Sequence, residues 1–185
     1  MKNDIKQKSI LLFEKKGFSD TSIQDIVETL GVTKGTFYYY FTSKEQLLMD
    51  IHVSYIDDLL ERQETVRLNQ LSNRKKLEEL IALLIIDIAN HGPSGKVFFR
   101  EMRHLCEDNA REVKRKREKF RKNLEAIISE GIAQNEFKKE LEPGIIAFAI
   151  LGVTNWSYQW FNPSGEISAD RLARVYSDLI FNGIV

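Results

Sequence analysis

Apolar residues recur every three to four positions along nearly the whole chain, and nowhere do they alternate singly as a half-buried strand requires. Ile5, Ser9, Leu12 and Phe13 share one helical face, and Gly17 is a stop. A capping box over Thr21 to Gln24 opens a second helix carrying Ile26, Val27 and Leu30, which Gly31 ends. Thr33 caps a short third helix through Tyr40. Ser43, with Gln46 three residues on, opens a longer fourth, whose stripe is Leu47, Leu48, Ile51, Tyr55, Ile56, Leu59 and Leu60. A bend near Asn69 to Asn73 precedes a fifth helix with Leu77, Leu80, Ile81, Leu84, Ile85 and Ile88. His91 to Ser94 break it. A sixth helix is expected over Gly95 to Cys106 and a seventh over Ala110 to Gln134. An eighth runs from Pro143 to Phe161. A ninth is capped by Ser168, carries Leu172, Val175, Tyr176, Leu179 and Ile180, and ends before Gly183. The fold class is all-α, with about nine helices. The division is a three-helix head over residues 1–47 and a larger helical domain over residues 48–185, the fourth helix joining them without a loose linker.

Composition narrows the functional classes. Lys+Arg and Asp+Glu are both 27, so no overall field draws the molecule to nucleic acid or membrane. Any nucleic-acid argument must rest on a local motif. The single cysteine, Cys106, excludes an internal disulfide and a cysteine zinc site. His52, His91 and His104 are scattered without ligand spacing, so no metal is expected. No phosphate-cradling glycine loop or nucleophile elbow is present, and no enzyme is expected. The longest apolar stretch, Gly144 to Val153, is too short to span a bilayer, and the charged N-terminus is no signal peptide. A soluble, cytoplasmic protein without a cofactor is the expectation.

The informative segment is TSIQDIVETLGVTKGTFYYYFTSK, Thr21 to Lys44. Two short helices meet at Gly31, where the turn favours a residue tolerant of positive φ. Ile26, Leu30, Val32 and Phe37 are spaced to fill the angle between them, and Val27 is small where the helices approach. This is the pattern of a helix-turn-helix, whose second helix enters the major groove. Phe37 and Phe41 belong to the core. Between Gly31 and Lys44 there are two lysines and no acid, so the second helix is locally positive. Lys34 suits guanine acceptors, Gly35 admits close backbone approach, and Thr36, Tyr38, Tyr39 and Tyr40 can bond phosphates or pack on thymine methyls. Lys44 and the amides near Ser43 suit a phosphate.

GVTKGTFYYYFTSKEQL, together with SILLFEKKGFSDTSIQDI before it, resembles the DNA-binding signature of TetR-type transcriptional regulators. Tyr40 stands where the family has His or Tyr, and Val27 where it often has Ala. The resemblance implies that Gln24, Lys34, Gly35 and Tyr38 face bases and that Thr36, Tyr39, Tyr40 and Lys44 face the backbone. Ser22 and Thr33, at the two helix starts, complete the candidate set. It also implies a repressor that binds a palindromic operator as a homodimer, paired through the last two helices. Ile145 to Val153 is apolar nearly all round and so demands cover on every side.

Such regulators are released from DNA by a small molecule held in the larger domain. Asn155 to Gly183 resembles the C-terminal segment of the subgroup that senses acyl-CoA thioesters and controls lipid degradation. The run REVKRKREKFRK, Arg111 to Lys122, holds eight bases and two acids and would suit CoA phosphates beside an apolar tunnel. Candidate ligand residues are Phe99, Arg100, Arg103, His104, Phe120, Trp156 and Trp160. The competing expectation is a drug-efflux regulator sensing a lipophilic cation, for which Asp87 or Glu101 would supply the carboxylate.

Overall fold

The computed structural model describes residues 1–184. Among them it contains nine α-helices, one 3-10 turn and no strand. The helices are α1 Lys2–Lys16, α2 Ile23–Leu30, α3 Lys34–Tyr40, α4 Lys44–Leu68, α5 Asn73–Asn90, α6 Gly92–Arg100, α7 Glu107–Ala133, α8 Pro143–Trp160 and α9 Ala169–Ile184. The 3-10 turn is Met102–His104. The all-α expectation stands, with local corrections. α6 starts earlier than expected, because Pro93 fits a first turn whose N–H needs no partner. It ends at Arg100 and gives way to the 3-10 turn. α7 starts at Glu107, with Glu107 and Asp108 in its first turn, where acids are favoured. α9 runs through Gly183 to Ile184 instead of stopping before it.

The chain divides into two compact units, Met1–Asp57 with Pro93–Arg115, and Asp58–Gly92 with Lys116–Val185. α4 contributes to both, as its continuous stripe requires.

In the first unit, α1 packs on α2 and α2 on α3. Ile5, Phe13, Ile26, Val27, Phe37, Phe41, Leu47 and Leu48 are buried. Removing a side chain such as Phe37 from water contributes about 1.5–3 kcal/mol. α1 is tied to α4 by Lys6 and Lys2, both bridging to Asp50, at 2.8 and 3.1 Å.

In the second unit, α5 packs on α9 and α8. Leu77, Leu80 and Ile81 meet Leu124, Ile127 and Ile128 of α7, Ala147 and Ile150 of α8, and Phe181 of α9. The N-terminus of α5 is capped twice. Ser72 accepts from the Lys75 amide at 3.2 Å, and Glu136 accepts from the amides of Asn73 and Arg74 at 3.1 and 2.9 Å. A carboxylate there also meets the positive end of the helix dipole.

Candidate nucleic-acid interface

Two caps and one glycine set the geometry of α2 and α3. The capping box lies one residue later than expected. Ser22 accepts from the Asp25 amide at 3.0 Å, and the Ser22 amide donates to the Asp25 carboxylate at 2.8 Å. Those bonds, led by the backbone amide, hold Asp25 below the ordinary carboxylate range. Thr21 is buried instead, its hydroxyl donating to Gly17 O at 2.8 Å. Gly31 ends α2 at φ 66°, the left-handed region where a side chain is strained. Thr33 then caps α3, accepting from the Thr36 amide at 3.2 Å.

With Phe37 and Phe41 buried, the opposite face of α3 is left to solvent. Thr33, Lys34 and Gly35 are exposed, Thr36 and Tyr40 half-buried. Tyr39 is 81% and Tyr38 53% exposed, high values for side chains of that size. Tyr39 meets Tyr40 edge to face at 4.8 Å. At Gly35 an added Cβ would meet only the Thr33 hydroxyl, at an ordinary 3.5 Å, so packing within the chain does not demand glycine there. Ser22, the N-cap of α2, and Gln24 within it are exposed. Gln24 donates its amide to Glu28 at 2.5 Å. Glu28 was not among the expected residues, although its spacing of four from Gln24 is the helical signal for such a pair. Lys44 differs from expectation. Its ammonium does not project to solvent but donates to backbone carbonyls of the turn between α1 and α2.

The candidate ligand residues fall into both units. Phe99, Arg100, Arg103 and His104 belong to the first. Arg100, Arg103 and His104, with Lys15 to Asp20 and the buried Glu101, line a polar recess of about 210 Å³. His104 stacks on Phe18 at 5.2 Å, and Phe99 meets Phe98 edge to face. Phe120, Trp156 and Trp160 belong to the second. Phe120 is buried and its carbonyl accepts from Gln63, so it serves the core. Trp156 and Trp160 lie largely exposed on α8. Three of the eight bases in the basic run pair with acids of their own helix. Arg111 bridges Glu107 and Asp108, Arg121 bridges Glu118 and Glu125, and Lys122 also meets Glu125. Arg117 keeps accessible surface, yet burial pulls its guanidinium below the ordinary arginine range. The carboxylate of Asp87 already binds Arg62, and His91 at 3.0 Å, so it is not free for a cationic ligand. Cys106 is exposed. Among the described residues no helix is long and apolar enough to cross a membrane, and no group of His, Cys, Asp and Glu could hold a metal ion.

Comparisons with known proteins agree with this architecture. Residues 8–51 match the family described as bacterial regulatory proteins, tetR family, and residues 70–184 match the tetracyclin repressor-like C-terminal domain. The transcriptional repressor KstR2 of Rhodococcus jostii is 24% identical over 175 residues, covering 94% of this chain and 85% of that protein. The TetR family regulator PfmR of Thermus thermophilus superposes with a TM-score of 0.90 at 28% identity, over 96% of this chain and 97% of that one. AibR, solved with isovaleryl coenzyme A and operator DNA, shares the fold with a TM-score of 0.88 at 22% identity, over 97% of each chain. An exposed reading helix behind a capped turn, joined to a helical domain matched across its length, makes this chain a DNA-binding transcriptional regulator of the TetR family.

Proposed function

We propose that this regulator binds a palindromic operator as a homodimer, represses from it, and is released by an acyl-CoA thioester. The observation that carries the DNA reading is the outer face of α3, where Lys34, Gly35, Tyr38 and Tyr39 stand free of the core. Ser22, Gln24, Thr33, Thr36 and Tyr40 flank it. Lysine and the amide edge of glutamine suit base edges in the major groove, and the phenols suit phosphates. A glycine that the packing does not require supports close passage of α3 along the duplex.

The homodimer reading rests on α8 and α9. Ile145, Phe148, Trp156 and Trp160 of α8, and Val175 and Leu179 of α9, are each 48–63% exposed. A Cβ at Gly152, midway along α8, would meet nothing within 4 Å. A large apolar face of this kind marks an interface, and a second copy would bury it and double the DNA contacts. In this reading residues 1–47 form the DNA-reading domain and 48–185 the effector and dimer domain, acting in the cytoplasm.

The effector reading rests on the AibR neighbour and on the basic residues of α7. AibR was solved with isovaleryl coenzyme A, and the exposed Arg117 and Lys119 of α7 suit a CoA phosphate. Release is then a population shift, since the effector must bind the DNA-free form better. The experiment adds acyl-CoAs of graded chain length to the protein bound to its operator in a mobility-shift assay. Release by acyl-CoA but not by free CoA or lipophilic cations is expected. If no acyl-CoA binds or alters the shift, the effector assignment falls and the DNA-reading one stands.

A further inference from the structure

We infer that Lys44 is a positioning residue for the reading helix, not a contact to the DNA phosphates. Only Phe41, Thr42 and Ser43 separate α3 from α4, and Lys44 is the first residue of α4. What holds Lys44 therefore also sets the exit of α3. Its Nζ donates to the carbonyls of Phe18 and Thr21 at 2.7 and 2.6 Å and lies 3.5 Å from that of Ser19. An ammonium has three N–H donors, and these carbonyls take them up. It also sits over the Phe18 ring, 4.3 Å from the centroid, where the negative face of the ring attracts a cation.

Those carbonyls belong to the turn between α1 and α2, and the residue after Thr21 is the N-cap of α2. One side chain thus joins the entry of α2 to the helix that follows α3. Both members of the helix-turn-helix are indexed by the same charge. Phe18 is itself braced, edge to face with Phe13 at 5.3 Å and stacked on His104 at 5.2 Å. Partial burial, opposed by Asp20 and Asp25, lowers Lys44 below the ordinary lysine range. To reach a phosphate it must abandon these bonds and leave the turn without its tie.

The inference rests on α3 reading DNA, and the two separate cleanly. Failure of the wild-type protein to select any duplex from a randomised pool would remove the reading assignment itself. Given a selected operator, its affinity is measured between about 50 and 300 mM salt, beside a random duplex. Lys44→Met is expected to weaken operator binding about tenfold or more with the salt slope and random-duplex affinity unchanged, so that specificity falls. Lys44→Arg keeps the charge but not the three-carbonyl fit, and is expected to rescue only in part. A phosphate contact behaves otherwise. Lys44→Met then flattens the slope by about 0.9 per head, weakens both duplexes alike, and Lys44→Arg restores both. That outcome overturns the inference. If melting shows Lys44→Met unfolded, Phe18→Leu carries the test, because it removes the ring and keeps the charge. Loss of operator affinity at constant slope supports the positioning role, and wild-type affinity refutes it.

Discussion

At the scale of single residues, the reading face separates side chains that hold the fold from side chains that face outward. Phe37 is fully buried while Tyr38 and Tyr39, its neighbours, are mostly exposed. The double variant Lys34→Ala, Tyr38→Ala is therefore expected to lose specific DNA binding with the fold and the dimer intact. Each base-edge contact contributes about 1–3 kcal/mol of discrimination, so a loss of roughly 100-fold or more is expected in a mobility-shift titration. Unchanged operator affinity would place the reading surface elsewhere. These exposed residues were legible in the sequence, because residue type and helical spacing together assign the outer face of a short helix. Lys44 was not legible in the same way. A lysine at a helix start is compatible with solvent, phosphate or carbonyls, and only the path of the preceding turn supplies the carbonyls.

At the scale of elements, caps and breakers located most helix ends, and their failures have plain causes. Thr33, Ser43, Ser72 and Ser168 each accept a bond from the amide three residues on. The box at α2 slipped by one residue because Thr21 and Ser22 are chemically equivalent caps, and burial of Thr21 decided between them. Gly183 stayed helical because a glycine permits a stop without enforcing one. Gly131 in α7 shows what a sequence conceals. A Cβ there would lie 2.2 Å from the Phe137 ring and 3.2 Å from Asn73. Gly131→Ala is expected to destabilise the protein by about 1–3 kcal/mol, through overpacking where helix propensity alone would favour alanine. Chemical denaturation monitored by circular dichroism checks it, and a stabilised variant would show that the ring swings away.

At the scale of the whole molecule, the proposed homodimer would cover the apolar side chains that α8 and α9 leave exposed. Replacing Phe148 and Leu179 together by Glu is expected to yield a folded monomer by sedimentation equilibrium, with operator binding weakened about 100-fold or more because a single head makes half the contacts. A variant that stays dimeric would send the partner to another face. The helical class, the capped reading head and the exposed tyrosines followed from the sequence, since period, caps and turn residues act over a few neighbouring positions. The seat of the Lys44 ammonium, the lack of room at Gly131, the sharing of Arg100, Arg103 and His104 with the turn after α1, and the withdrawal of Phe120 into the core were decided by tertiary packing. Each depends on groups far apart in the chain, and no local pattern specifies which of them will meet.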